Sequence, residues 1–481
     1  MKVLLIAPPD NKNVEPFLSN PIKPTPAFSG YTFPMGLSYL SAYIKKEGHT
    51  VNLLDCLSLD LSLQDIRKII LKTKPDVIGI TSMTHYIKTA VAIAGISKTL
   101  FPKVPVVCGG PHANFDYENL LNNYSFDYVV VGEGEKTFSE LLKYLKNKNS
   151  IDINNIQGIA YKKGNKIIKT PPRPFIKNLD EVPFPARELL DFNNYIYNQL
   201  LPNAVEILGS RGCSHRCAFC SSSHFWQMWR ARSPENIILE MKEILKKYPK
   251  TKSFLFYDDN FTLDKNRVKK LCNLIIKEGL DKYRWNCSAR ADQVDLETLK
   301  LMKKAGLSKI NYGVETGSPK VAKNIDKHLN LDTLKKTIKM TKKLGIEVLA
   351  FFMIGNPGET KKTIQQSIAL AKELKPTTTL WSIAQILPGT KLAKLQPISN
   401  FIEYIYEPEV NHPYQQTWSY IPVFENKNLN REQVKLYHKN IVKYFTFYHI
   451  FHNPKIQFKH FLYSPLNGLK YFYRVLKNSL Y

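Results

Sequence analysis

No apolar stretch in this chain reaches the roughly 18 to 20 residues that a membrane-spanning helix requires, so no segment reads as a span. The apolar start, Met1-Lys2-Val3-Leu4-Leu5-Ile6-Ala7-Pro8-Pro9, is short and lacks a small-residue cleavage site, which suits a first β-strand better than a signal peptide. Cysteine is sparse: seven among 481 residues, an odd number with three of them packed into positions 213 to 220. That pattern does not build a disulfide framework and fits a reducing cytoplasm. Acidic residues are short as well. The 41 Asp and Glu face 68 Lys and Arg, for a net charge of +27, and from Gln433 to Tyr481 there is none at all. Such an excess attracts phosphate-rich partners, nucleic acid or anionic lipid, although lysine is spread along the whole chain with Ile and Asn. With 43% apolar and 12% aromatic residues the chain is not disordered throughout, and its length allows two to four domains.

What is present centres on Gly209-Ser210-Arg211-Gly212-Cys213-Ser214-His215-Arg216-Cys217-Ala218-Phe219-Cys220, three thiols in a CxxxCxxC spacing. Thiolates are the ligands that iron-sulfur clusters prefer, and three of them leave one iron of a 4Fe-4S cluster open to a small chelating ligand. That suits chemistry at the cluster more than electron storage. Zinc is the competing reading, with His215 or His224 as a fourth ligand, although structural zinc sites often use two separated pairs. Chance clustering in a loop is the third.

Residues 1–147 alternate β-branched runs with helical spacing, which predicts an α/β domain: a doubly wound sheet of five parallel strands near 3–7, 51–54, 77–81, 106–108 and 128–131. Ligands of such sheets bind beyond the carboxyl ends of the strands, where Thr81-Ser82, Gly109-Gly110-Pro111-His112 and Gly132-Glu133-Gly134 fall. Residues 148–200 read as a linker with a small hairpin around Lys163-Gly164-Asn165, then a proline-rich extended stretch. From 201 to 390, six strand-helix repeats predict a partial (β/α)6 barrel whose site lies at the carboxyl ends of its strands. Residues 391–481 read as a helical extension, with eight Lys or Arg and thirteen Phe or Tyr from Gln433 onward. Basic heads on aromatic bodies suit an anionic membrane surface, single-stranded nucleic acid, or a cap over the barrel.

The cysteine spacing, with an aromatic before the last thiol, resembles the cluster loop of the radical S-adenosylmethionine (SAM) superfamily. Pro34-Met35-Gly36, Cys108-Gly109-Gly110-Pro111-His112 and Val131-Gly132-Glu133-Gly134-Glu135 resemble the cobalamin-binding domain that precedes many of its members. The resemblance implies a 4Fe-4S cluster held by Cys213, Cys217 and Cys220, with SAM on the open iron. It implies SAM contacts from Phe219, Asp258, Arg290, Gly313, Glu315, Thr316, Gly355, Pro357 and Gly358, where Glu315 suits an ammonium group and Arg290 a carboxylate. Cobalamin contacts fall to Pro34, Met35, Gly36, Thr81, Ser82, Gly109, Gly110, His112, Gly132, Glu133 and Gly134. There is one departure. Where other cobalamin domains carry Asp-x-His-x-x-Gly, whose His ligates cobalt, this chain has Asp55-Cys56-Leu57-Ser58-Leu59-Asp60. Cobalamin is therefore expected without a protein imidazole below cobalt, His112 being a weak rival.

The activity that the resemblance implies is that of a cobalamin-dependent radical SAM methyltransferase. In that family the reduced cluster cleaves SAM to a 5′-deoxyadenosyl radical, and a methyl group carried by cobalamin reaches an unactivated carbon, here of a lipid-like or secondary-metabolite substrate. The cofactors carry the hard chemistry, and no side chain of the chain singles itself out as catalytic. A small-molecule substrate, an electron donor such as flavodoxin or ferredoxin, and a place in the cytoplasm or at the inner face of the membrane complete the expectation. Relatives of the same kind also close or rearrange rings without methyl transfer. A tRNA methylthiotransferase would need three more cysteines near the N-terminus, where only Cys56 and Cys108 precede the core. A zinc-stabilised nucleic-acid-binding protein is the reading from a different class, supported by charge alone.

Overall fold

The computed structural model describes residues 1–9, 33–148, 151–191, 195, 203–328, 330–398, 424 and 428–452. They form two compact units, the first built on the described residues up to Tyr195 with Ile398, the second on the described residues from 203 to 397 and from 424 onward.

In the first unit β1 (Lys2–Ala7), β2 (Thr50–Asp55), β3 (Val77–Thr81), β4 (Val106–Gly109) and β5 (Tyr128–Val130) run parallel in the order β2-β1-β3-β4-β5. Because the order reverses at β1, crossover helices cover both faces. Leu4 and Ile6 enter one core while Val3, Leu5 and Ala7 enter the other, as alternation along a strand buried on two sides requires. Local signals set the helix starts. Ser62 and Asp65 form a capping box for Leu63–Thr73, and Pro111 opens Pro111–Asn123 behind Gly110.

The hairpin does not stay in a linker. β6 (Ile159–Lys163) and β7 (Lys166–Lys169) join the same sheet antiparallel to β5, Val129 opposite Ala160, which makes seven strands rather than five. Left alone, β5 would be an exposed edge; the hairpin replaces it with one lined by exposed Lys162, Lys163, Lys166 and Lys169, a charged edge that resists pairing with other chains.

The second unit holds β8 (Ala204–Ile207), a two-residue ladder of β9 (Ser210–Arg211) with β10 (Arg230–Ala231), then β11 (Ser253–Phe256), β12 (Arg284–Ala289), β13 (Leu307–Glu315), β14 (Glu347–Ile354) and β15 (Thr378–Ile383). The main sheet is wholly parallel in the order β15-β14-β13-β12-β11-β8. One-way winding with right-handed crossovers puts the helices on a single outer face, as in a partial barrel. Trp285 Nε1 donates to Ala305 O at 2.7 Å and the Tyr312 hydroxyl meets Thr341 at 3.0 Å, so these positions face outward. Asn286, Ser288, Lys309 and Asn311 have the opposite parity and face inward.

A helix of 22 residues, Arg431–His452, covers β15. Phe445 stacks on Trp381 with ring centroids 5.2 Å apart, and Trp381 stacks on Phe352 at 4.4 Å. This part of the aromatic extension is therefore a cap on the sheet; residues 453–481, which carry the rest of the basic aromatic pattern, lie outside the described residues. Among the described residues no helix is long and apolar enough to cross a membrane.

Candidate functional site

The cysteine loop follows β8 at its carboxyl end. Gly212, with φ +86°, turns the chain into it, and a Cβ there would collide with Met228 O and stand 2.7 Å from Trp226 Cβ, so only glycine fits. The loop is pinned through its backbone: Ala218 N–H donates to Ile325 O at 2.9 Å, and Leu392 N–H donates to Ala218 O at 3.1 Å. Phe219, expected at SAM, packs against Ile325, Met353 and Ala384. All three cysteines are free thiols. Burial pushes the Cys217 thiol up and that of Cys220 up to about 11, so a metal must displace their protons and supply positive charge that offsets the buried thiolates.

Each of the two imidazoles that zinc could use has one ring nitrogen engaged. His224 Nδ1 lies 2.8 Å from Cys220 O, and His215 Nε2 meets the Gln293 amide at 3.1 Å. Among the described residues no three His, Cys, Asp or Glu side chains converge as a single-ion site. A cubane spreads ligation over separate irons, so its three thiolates need not converge on one point.

Several strand-end residues expected at SAM hold the loops. Asp258, 3% exposed, accepts from Gly209 N–H at 2.7 Å and Ser210 Oγ at 2.5 Å, which anchors the start of the cysteine loop. Burial raises its carboxyl while Arg267 beside it opposes the shift. Arg290 is clasped by Asp292, at 3.0 and 2.8 Å, and also donates to His328 O, so most of its fork is turned away from any ligand. Thr316 is buried against Ser367 and Ser318 N–H.

Glu315 is different. It ends β13 beside a register shift, in left-handed backbone at φ +67°, and meets Lys327 Nζ at 3.2 Å. A Cβ on Gly313 would come within 2.6 Å of Glu315 Oε1, so this glycine makes room for the pair. Beyond β14, Gly355 and Asn356 N–H groups donate to Glu359, whose carboxyl burial pushes up to about 7; Asn324 Nδ2 holds Pro357 O at 2.8 Å. Lys327, Glu315 and Arg290 lie close enough for their charges to act on the Cys217 thiol.

At the strand ends of the first unit, Gly110 sits at φ +98°, where a Cβ would lie 2.7 Å from Ser82 O. Ser82 donates to Gly109 O and accepts from Ala113 N–H; Glu133 accepts from Ile176 N–H at 2.7 Å. His112 is buried with Nδ1 on Thr84 Oγ1 and Nε2 on Asp116, so neither nitrogen is turned toward a metal. These three expected ligand contacts thus brace the loops. Among the described residues, a Cβ added at Gly36 or Gly132 would meet no atom within 4 Å, so the backbone at both is open to close approach. Sequence reasoning missed Tyr195, whose hydroxyl donates to Asp55 Oδ2 at 2.7 Å from 140 residues away. No local signal connects the two.

Comparison with known proteins agrees with this arrangement. Residues 207–371 match the Radical SAM superfamily and residues 27–142 the B12 binding domain. An uncharacterised methyltransferase of Pyrococcus horikoshii is 34% identical over 462 residues, which take in 95% of this chain and 94% of that protein. The chain belongs to the cobalamin-binding radical SAM family. This radical SAM protein is also 30% identical over 365 residues to the anaerobic magnesium-protoporphyrin IX monomethyl ester cyclase of Rubrivivax gelatinosus, covering 75% of the chain and 65% of the cyclase. In fold it matches the radical SAM methyltransferase TsrM from Kitasatospora setae, with TM-score 0.68 and 18% identity over 86% of this chain and 79% of that one.

A radical SAM enzyme of this family uses a 4Fe-4S cluster, SAM and cobalamin. The residues present fit all three. Pinned free thiols suit the cluster, Glu315 with Lys327 and the turn Gly355–Gly358 could hold SAM, and the glycine loops at the strand ends of the first unit could let backbone approach cobalamin.

Proposed function

We propose that this radical SAM enzyme methylates an unactivated carbon of a small, lipid-like or secondary-metabolite substrate. The observation that carries the reading is the nearly end-to-end match to a protein named as a methyltransferase. The cofactors supply the radical and the methyl group when bound. The chain's own part is to position them: Glu315, steadied by Lys327, would take the ammonium group of SAM, and the backbone of Gly355 to Gly358 would hold its nucleoside.

The test uses the full chain, reconstituted without oxygen with iron, sulfide and hydroxocobalamin, then given methyl-labelled SAM, a reductant and a small-molecule extract. Label in a carbon-methylated product together with 5′-deoxyadenosine is expected. Formation of 5′-deoxyadenosine with an unmethylated, newly ring-closed product would favour the second reading, oxidative cyclisation, which the cyclase relative supports.

An acidic electron carrier of the flavodoxin or ferredoxin kind suits a chain of net charge +27. An apolar substrate would reach the enzyme from an anionic membrane surface, held by the acid-free stretch after Gln433. Because Phe445 is part of the sheet's cap, truncation after His452 is the right variant. Salt-sensitive sedimentation with anionic liposomes that survives this truncation rules the tail out as the anchor.

A further inference from the structure

Asp55 ends β2, at the side of the sheet where the ligand loops gather, yet its carboxylate is only 4% exposed. Its Oδ1 accepts from Leu57 N–H at 3.3 Å and its Oδ2 accepts from the Tyr195 hydroxyl at 2.7 Å. Ser58 Oγ stands 3.2 Å from the same phenol oxygen and also donates to Asp55 O. Tyr195 is itself 4% exposed, with Phe33 edge-on to its ring at 5.0 Å. A buried carboxylate needs a strong donor, since leaving it unpaired is costly. The phenol that satisfies it comes from far along the chain.

This meets the one departure in the sequence. In Asp-x-His-x-x-Gly loops a histidine two positions after the aspartate ligates cobalt; here the aspartate is present as Asp55 but the position belongs to Leu57. Metal-bound histidines commonly donate their second ring N–H to such a carboxylate, which orients the imidazole. We propose that Tyr195 is a positioning residue of the cobalamin site: its phenol takes the place on Asp55 that an imidazole would take, and so braces the end of β2 where cobalamin would bind. Two consequences follow from the geometry. The carboxylate is occupied by the phenol rather than open to water or another ligand, and a packed aromatic ring braces the end of β2, which would keep that loop in place when cobalamin binds. The inference rests on cobalamin binding by the family and is independent of which substrate is methylated.

The experiment compares the full wild-type chain with Y195F, L57H and the double variant L57H/Y195F. Each is titrated with hydroxocobalamin, reduced to the cob(II)alamin form, and examined by electron paramagnetic resonance, with Tm measured in parallel. The wild type and L57H are expected to show no nitrogen superhyperfine splitting, because Tyr195 holds Asp55 in both. Y195F is expected to bind hydroxocobalamin about fivefold more weakly, the scale of one lost hydrogen bond, and to change the cob(II)alamin spectrum. The double variant is expected to show nitrogen splitting. A Y195F protein with the wild-type affinity and spectrum, whether or not its Tm falls, overturns the proposal. So does nitrogen splitting in the wild type or in L57H, or its absence from the double variant. If Y195F and the double variant do not fold, nitrogen splitting in L57H, which keeps Tyr195, still overturns the proposal.

Discussion

His449 Nε2 accepts the backbone N–H of Thr379 at 3.0 Å, and about three helical turns earlier His438 Nε2 donates to Trp381 O at 2.8 Å. β15 is the last strand of its sheet, and Thr379 and Trp381 both point to its open side. Two imidazoles on the covering helix thus supply bonds that a further strand would make, and they protect an edge that would otherwise invite pairing.

Acid should loosen this cap. Burial lowers His449 from its ordinary 6.5 to about 4, so between these values the unfolded chain binds a proton that the folded one refuses. The contribution is therefore complete above about pH 6.5 and is lost as pH falls toward 4, on the order of 3 kcal/mol in all. H449Q, whose amide oxygen can accept the same N–H but does not titrate, is expected to flatten the dependence of Tm on pH in that window. Equal slopes for the two proteins would refute the assignment.

Each of C213A, C217A and C220A should abolish the cluster, whereas C272A and C287A, whose thiols are buried in the core, should not. Iron and sulfide analysis after anaerobic reconstitution is expected to give about four irons per wild-type chain. One zinc and no sulfide would contradict the cluster.

G212A should fold and yet load iron poorly. The added methyl would collide with Met228 O, and non-glycine left-handed backbone costs about 1 to 2 kcal/mol besides. The check is iron content set against Tm. Full iron loading would show that the loop has room to spare.

D258A is expected to act on stability rather than on SAM. It leaves Gly209 N–H and Ser210 Oγ without their buried acceptor, a loss of roughly 1 to 3 kcal/mol. SAM affinity per loaded cluster should stay at the wild-type value. A variant with normal Tm and weakened SAM binding would return Asp258 to the ligand site.

E315Q should do the reverse. Glu315 has Lys327 as its ion partner, and removing its charge is expected to weaken SAM binding about tenfold while leaving iron content intact. Equilibrium dialysis with SAM measures this directly; unchanged affinity would assign the pair a purely structural role.

Short-range pattern was enough for the thiols and for the strands. CxxxCxxC puts three cysteines on one loop whatever surrounds it, and the runs read near residues 3–7, 77–81 and 106–108 became β1, β3 and β4 because β-branched spacing is a property of neighbours. Pattern could not decide which polar side chains face a ligand. Asp258, Arg290, Thr316 and Glu315 look alike as polar residues at strand ends, but Gly209 claims the first, Asp292 the second and Ser367 the third, whereas Glu315 keeps Lys327 as an ion partner. The hairpin's place on β5, the helix on β15 and the phenol on Asp55 were equally hidden. Each joins segments far apart in the chain, and burial and pairing exist only once the tertiary fold has brought those segments together.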